Sequence, residues 1–423
     1  MADGSAAISR AVAGTSPNAA SPGDPPISPD VGLEASGTRA VGTTSPDATS
    51  LDRAARGSQI SRLTEFLVTG GATLFLFPIS WIVRRKFGLD PSEYAIGFAT
   101  FYAAYVINDP HFAVTYLLFY KDVRARAFSD AYPYAQRVRF VVAGFVVPVV
   151  LLAWALQAIA RRDADLLGGM VQLMYMLVGW HYAKQGFGVL TVLSARRGVT
   201  LTKHERTAFL AHCFSGWAFA WASPAATARE FEEKGVIYRA LAHPRWLEIA
   251  TASVFALSTV ALIVVLAARY RRDHRFLPLA PLVGFLVTIW SWTIFSSADR
   301  LLQYVIPALH SIQYLFFVWL MKRNEARAGE GTAFGRSVAV RLALFAASAL
   351  ALGWVFFHGA PSLLDAITAP PRRLRHTVVD DLGPTPFLAG LFVIVNIHHY
   401  FMDHVIWRRE NPDTRFLREG VLS

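Results

Sequence analysis

Long apolar runs separated by short charged segments recur along the chain from residue 63 to residue 407. Most of them reach or exceed the ~20 residues that a helix needs to cross the hydrocarbon core of a bilayer. The ten runs are residues 63–83, 94–120, 138–160, 165–194, 205–223, 247–269, 277–297, 301–321, 338–358 and 385–407. The pattern predicts an all-α, polytopic membrane helical bundle with about ten transmembrane helices, in which residues 59–410 form one multi-span domain.

Two of the runs depart from a simple straight span. Pro110 lies within the second run, and it predicts a kink because proline removes one backbone hydrogen bond and clashes with the preceding turn. The fifth run is the least apolar, since His212 and Ser215 interrupt it and charged residues precede it. If the fifth run does not cross, every later segment changes sides.

The two ends of the chain differ from the apolar part. Residues 1–58 are rich in Ala, Gly, Ser, Thr, Pro and Asp and contain almost no large apolar residues. Such a segment cannot bury enough apolar surface to fold, so we predict a disordered N-terminal tail. It lacks the apolar core of a secretory signal peptide, which favours the first membrane helix as an uncleaved signal. Residues 411–423 are predicted to form a short cytoplasmic C-terminal tail.

Charge supports the membrane interpretation and sets an orientation. Of the residues, 54% are hydrophobic and 17% are charged, whereas about a quarter are charged in soluble domains. The net charge of +11 comes from short Lys and Arg clusters between the apolar runs, which does not indicate nucleic-acid binding. With ten spans, more of these residues fall on the side of the N-terminus. The positive-inside rule then predicts a multi-pass membrane protein with both termini in the cytoplasm. The lack of an organelle-targeting signature and the single cysteine are compatible with the cell (inner) membrane.

Four of the apolar runs are interrupted by polar islands that contain histidine. They are Asn108-Asp109-Pro110-His111, His181-Tyr182-Ala183-Lys184-Gln185, His310-Ser311-Ile312-Gln313-Tyr314 and Asn396-Ile397-His398-His399-Tyr400-Phe401-Met402-Asp403-His404. Ionisable groups at membrane depth are costly and usually mark a functional site in the interior of a bundle. The four helices run in the same direction in the predicted topology, so the islands can converge on one layer.

The imidazoles and carboxylates of the islands are candidate metal ligands. The set is Asp109, His111, His181, His310, His398, His399 and Asp403. His399 and Asp403 are four residues apart on one helix face, where they can bind one ion or form a hydrogen-bonded packing pair. His398 points about 100° away, towards a second metal or a neighbouring helix. Four further polar residues of the islands, Lys184, Gln185, Tyr314 and Asn396, are candidate catalytic residues that would surround the metal.

The types of ligand atom in the islands limit which metal ion such a site could bind. Neutral imidazoles with carboxylates suit iron, zinc or copper, and the number of histidines favours iron over zinc. The single cysteine, Cys213, excludes an intrachain disulfide and any multi-cysteine metal centre. A centre within the bilayer implies a lipophilic small-molecule substrate. With iron, the expected reactions are hydroxylation or desaturation, which would need an electron donor.

In composition, the chain resembles histidine-rich polytopic membrane oxygenases and desaturases. The resemblance implies an oxidoreductase, but it assigns no ligands because the boxes His-x3-His and His-x2-His-His are absent. Two alternatives use the same residues. His181 and His399 could ligate a b-type haem for electron transfer, and the Asp and His residues could relay protons in a proton-coupled transporter. A scaffold subunit would not need so many buried ionisable groups.

Overall fold

The computed structural model describes residues 62–224, 229–296, 298–329, 337–368 and 382–417. The predicted tail 1–58 and the end of the predicted C-terminal tail, 418–423, lie outside these residues. Within the described ranges there are twelve helices: α1 Arg62–Phe87, α2 Leu89–Ala104, α3 Asn108–Phe119, α4 Val123–Phe128, α5 Tyr134–Arg161, α6 Ala164–Arg196, α7 Lys203–Ala222, α8 Arg245–Asp273, α9 Leu279–Ile294, α10 Arg300–Arg327, α11 Val338–Thr368 and α12 Pro386–Ile406. A 3₁₀ turn, Pro412–Leu417, follows α12.

The predicted helical fold is confirmed, with one small addition. Strands β1 (Glu230–Glu233) and β2 (Val236–Arg239) form an antiparallel hairpin in the segment between α7 and α8, where the apolar pattern predicted a loop. The hairpin packs on α6, where Tyr238 lies against Gly168. A two-stranded hairpin is too small to change the fold class.

Fewer helices than the ten predicted are recognised as membrane spans from their length and composition. Five helices of the described ranges are long and apolar enough to cross a membrane, which is consistent with a membrane protein: α1, α5, α8, α10 and α11. Ten spans are not confirmed. The physical reason is that the polar islands dilute α6 and α12, while the second run is divided between two shorter helices.

That division occurs next to Pro110. Helix α2 ends at Ala104 and α3 begins at Asn108, with an irregular turn between them. Proline cannot donate to the carbonyl one turn earlier, and its ring crowds that carbonyl. The kink predicted at Pro110 is therefore a break, and it allows the start of α3 to take its own direction.

Helix α7, the fifth predicted run, has a strong N-terminal signal. The Thr202 side chain accepts a hydrogen bond from the Glu205 amide at 3.3 Å, and the Glu205 carboxylate accepts from the Thr202 amide at 2.8 Å. This reciprocal capping box satisfies two amides that the helix itself leaves free. The helix is present, although it is not among the five apolar candidates.

The helices that carry the islands lie inside the bundle. Helix α12 packs on α3 and α6, and α10 packs on α3. Half of the apolar window of α10 is buried, compared with 11% for α8. Helix α8 thus presents apolar side chains outward, as a lipid-facing helix does, whereas α10 belongs to the interior.

Close packing of α11 against α3 depends on Gly353. A Cβ atom at this position would lie 2.7 Å from the carbonyl oxygen of Asp109, so Gly353→Ala should force the two helices apart. We expect it to destabilise the protein by about 1–3 kcal/mol, as overpacking does, measured as a lower thermal midpoint in detergent. The matched control is Gly188→Ala in α6, where a Cβ would meet nothing within 4 Å. An equal loss of stability in both variants would contradict this assignment.

Candidate metal centre

The four islands converge at one point in the bundle. One ring nitrogen from each of His111, His181, His310 and His399 lies within 4.8 Å of the others, and all four residues are buried. These four residues are called the histidine cluster below. The rings meet edge to face, with centroids 4.5 Å apart for His111 and His399 and 4.9 Å apart for His181 and His310. Helices α3, α6, α10 and α12 each contribute one imidazole.

Several nitrogens of the cluster have no hydrogen-bond partner. His111 Nδ1 lies 3.1 Å from Ser311 Oγ, which leaves its buried Nε2 unpaired. Both ring nitrogens of His399 are also buried without a partner. A buried polar atom left unpaired costs ~1–3 kcal/mol, and such atoms in a native structure call for an explanation. A bound metal ion would satisfy them.

Asp403 adds a carboxylate to the cluster. Its Oδ1 accepts hydrogen bonds from the Tyr314 hydroxyl at 2.8 Å and from Thr115 Oγ1 at 3.3 Å. Its Oδ2 has no hydrogen bond and lies 3.3 Å from His399 Nε2 and 3.7 Å from His181 Nε2. One oxygen is thus held in place by two hydroxyl groups, while the other is available as a ligand.

The spacing of these donors suits one ion. A metal–nitrogen bond of ~2.0–2.1 Å places neighbouring ligands about 3 Å apart and opposite ligands about 4.2 Å apart. His181 Nε2 and His310 Nε2 are 3.1 Å apart, and the cluster as a whole fits within 4.8 Å. The four nitrogens therefore lie at separations close to those around a single ion, and Asp403 Oδ2 lies beside two of the four imidazoles.

A chain of hydrogen-bonded side-chain amides contacts the backbone of His310. Gln185 Nε2 donates to the His310 carbonyl at 3.2 Å and to Gln313 Oε1 at 2.7 Å. Gln313 Nε2 in turn donates to the Thr69 carbonyl at 2.8 Å. That carbonyl is free because α1 is kinked there, where Gly70 adopts a φ of +126°. Helices α1, α6 and α10 are joined by this chain, which the polar islands alone did not predict.

Of the predicted catalytic residues, Tyr314 contacts the Asp403 carboxylate directly, whereas Gln185 reaches the cluster only through the backbone carbonyl of His310. Two further residues support it and were missed. Thr115 holds Asp403, and Ser311 lies against His111. Thr115 is four residues after His111 and therefore on the same helix face, which is a signal that was available in the sequence.

His398, a predicted metal ligand for which a neighbouring helix was the alternative, lies outside the histidine cluster and contacts two neighbouring helices. Its Nδ1 lies 3.0 Å from the Tyr116 hydroxyl, and its Nε2 lies 3.0 Å from the Ala143 carbonyl oxygen. Neighbouring residues on a helix diverge by about 100°, so the ring of His398 faces α3 and α5 when His399 faces the centre.

Asp109 is also placed elsewhere, although it too was predicted as a ligand. Its Oδ2 lies 2.8 Å from His358 Nε2 of α11. Asp109 is two residues before His111 and on a different face of α3. His358 thus links α11 to the start of α3.

Lys184, predicted as a catalytic residue near the metal, is half-buried and points away from the cluster towards α7. Its ammonium lies 5.9 Å from the centroid of the Phe214 ring on α7. It forms no ion pair with Asp109 or Asp403, both of which are among the described residues. A cation–π contact with Phe214 is therefore the arrangement that the structure shows for Lys184.

The Asn396 side chain forms its hydrogen bonds within α12. Its amide nitrogen donates to the Phe392 carbonyl at 2.8 Å, and its oxygen accepts from the Tyr400 hydroxyl at 3.2 Å. The Tyr400 ring packs 4.7 Å from the ring of His181. Asn396 thus acts on the cluster only through Tyr400, and it is not positioned to touch a metal ion.

Comparison of the chain with protein-family models, with characterised proteins and with solved structures finds no match. The buried histidine cluster with Asp403 could hold a metal ion, and this is what the geometry supports directly. A more specific function has to be inferred from the chemistry of these residues.

Proposed function

We propose that this chain is a membrane-embedded, metal-dependent oxidoreductase that acts on a lipophilic substrate and uses iron held by the histidine cluster and Asp403. The observation that carries the proposal is the set of unpaired imidazole nitrogens around one buried point, with a free carboxylate oxygen beside them. The cell (inner) membrane and cytoplasmic termini predicted by loop charge belong to the same proposal.

The donor set favours iron over zinc. Catalytic zinc is usually held by three protein ligands, whereas five donors face this point. Imidazole and carboxylate without thiolate are also the ligands of non-haem iron enzymes. An iron ion bound here would supply the redox chemistry that hydroxylation or desaturation of a C–H bond requires.

The residues around the cluster have three tasks in such a reaction. Burial of the cluster excludes bulk water from the centre. Tyr314 and Thr115 fix the orientation of the Asp403 carboxylate, as hydrogen-bonded neighbours of metal ligands commonly do. Phe112 forms an apolar wall, since its ring lies 4.8 Å from that of His399 and 5.1 Å from that of Phe357. A hydrocarbon substrate would approach along this aromatic side.

The b-type haem alternative does not suit these distances. A haem between His181 and His399 would hold their ring centroids more than about 6 Å apart, because each nitrogen would lie ~2 Å from the iron. The centroids are 4.9 Å apart, at an angle of 68°. No specific contact of the described residues favours the transporter alternative.

Oxygen-isotope labelling tests the proposal. Detergent-purified protein loaded with ferrous iron would be mixed with vesicles of total lipid extract from the expressing cells, supplied with ascorbate as the source of electrons, and exposed to ¹⁸O₂ gas. We expect lipid species that gain an ¹⁸O atom or lose two hydrogens, detected by mass spectrometry and absent with His399→Ala. Iron-loaded protein that yields no more of these species than the variant would contradict the proposed reaction.

A further inference from the structure

Two aromatic rings connect the histidine cluster with the surface of the protein. The Tyr314 ring lies 4.5 Å from the ring of His111, centroid to centroid. The Trp407 ring follows at 5.3 Å in an edge-to-face contact. Trp407 directly follows α12, is partly exposed and lies shortly before the exposed residues Arg409 and Glu410. The path therefore runs from a fully buried centre to solvent-accessible chain in two ring contacts.

Tyr314 is distinguished from the other tyrosines at the cluster by its hydrogen bond. Tyr182 packs 4.3 Å from the ring of His310, and Tyr400 packs 4.7 Å from that of His181. The Tyr400 hydroxyl donates to the neutral amide of Asn396, whereas the Tyr314 hydroxyl donates to the Asp403 carboxylate at 2.8 Å. A phenol loses an electron most readily when a positioned base takes its proton. Tyr314 is therefore the tyrosine best placed for one-electron chemistry.

We propose that Tyr314 and Trp407 carry single electrons from a donor at the protein surface to the metal centre. This inference rests on the proposed function and names a device that the function requires. Hydroxylation of a C–H bond by dioxygen consumes two electrons and two protons beyond those of the substrate and releases one water. The cluster is buried, so these electrons need a route through the protein.

Each step along the route conserves electrons and protons. Tyr314 gives one electron to the centre, with dioxygen as the final oxidant, and its phenolic proton moves to Asp403 Oδ1. Trp407 then returns an electron to Tyr314, and the proton moves back to the phenolic oxygen. A soluble one-electron donor, such as a reduced flavoprotein or iron–sulfur protein, restores Trp407. The net change is one electron moved from the donor to the centre.

A purely structural role for Tyr314 is the competing explanation, because its hydroxyl also positions Asp403. The two roles differ in one observable, which is a tyrosyl radical. The test is to load the protein with ferrous iron, measure the iron content, and mix it with air-saturated buffer without a donor or lipid. Samples are frozen at intervals and examined by electron paramagnetic resonance. We expect an organic radical in the native chain, whose spectrum narrows when the protein contains ring-deuterated tyrosine.

The variants assign the radical. Tyr314→Phe should lose at least nine-tenths of the signal while keeping its iron, since Thr115 still holds Asp403. Trp407→Phe should lengthen the lifetime of the radical several-fold. Tyr400→Phe is the matched control for Tyr314, and Trp180→Phe, whose ring contacts His404, is the control for Trp407. Both controls should behave like the native chain.

The outcomes separate the inference from the proposed function. Iron that oxidises in the native chain without any radical overturns the electron route alone. An undiminished radical in Tyr314→Phe does the same. A native chain that binds no iron overturns the proposed function, and the route with it. The deuterated native chain keeps the test decisive even if a variant does not fold.

Discussion

Replacing His399 with alanine is expected to reduce bound iron from about one ion per chain to nearly none. His399 is fully buried, and neither of its nitrogens has another partner. Loss of a residue that only supports a ligand lowers metal affinity about 10–100-fold, so loss of a ligand should cost at least that much. Elemental analysis of detergent-purified protein, normalised to protein concentration, measures the effect.

The neighbouring residue provides a matched control. His398→Ala removes the same side chain from the same turn of α12, but its nitrogens are engaged by Tyr116 and Ala143. We expect this variant to keep its iron. Equal loss in both variants would show that general damage to α12, and not a missing ligand, explains the result for His399.

Removal of the metal is expected to lower the thermal midpoint by about 5–10 °C. Binding stabilises the folded state by ~4 kcal/mol when free metal is 1,000-fold above the dissociation constant. In a chain of this size each kcal/mol corresponds to about 2 °C or slightly less. Without the ion, the imidazoles of the cluster and Asp403 Oδ2 again lack partners. Tryptophan fluorescence during heating in detergent, before and after chelation, measures the shift.

His399→Ala separates this effect from other actions of the chelator. Chelation should leave the thermal midpoint of that variant unchanged, because it has no ion to lose. A shift of the same size in the native chain and the variant would place the stabilising ion elsewhere. No shift in the native chain would mean that the cluster is stable without a metal.

Much of the centre could be predicted from local spacing. The four polar islands mark the four helices that meet, and the interval between His399 and Asp403 places both on one face. The break beside Pro110 follows from the missing amide of proline. These inferences depend only on residues within one or two helical turns of each other.

Contacts between distant helices could not be predicted in the same way. Whether His398 or His399 faces the centre depends on the rotation of α12 within the bundle. The pairing of Asp109 with His358 depends on how α11 meets the start of α3. The support of His310 through Gln313 requires a kinked α1, which Gly70 permits by its positive φ.

The predicted number of spans exposes a conflict between two sequence signals. A run such as that of α12 is long enough to cross, but the polar islands that make it chemically interesting also reduce its apolar character. Composition alone therefore recognises outward-facing helices such as α8 more easily than the interior helices that carry the site. Buried polar groups in a membrane bundle are shielded by neighbouring helices, which a single segment does not reveal.

X-ray absorption at the iron edge of the purified native chain would show directly whether the histidine cluster and Asp403 bind iron. We expect a stoichiometric iron ion with about five nitrogen and oxygen ligands at about 2.1 Å and the outer-shell scattering of several imidazole rings. Protein without stoichiometric metal, or metal bound by sulfur or a porphyrin, would contradict this assignment.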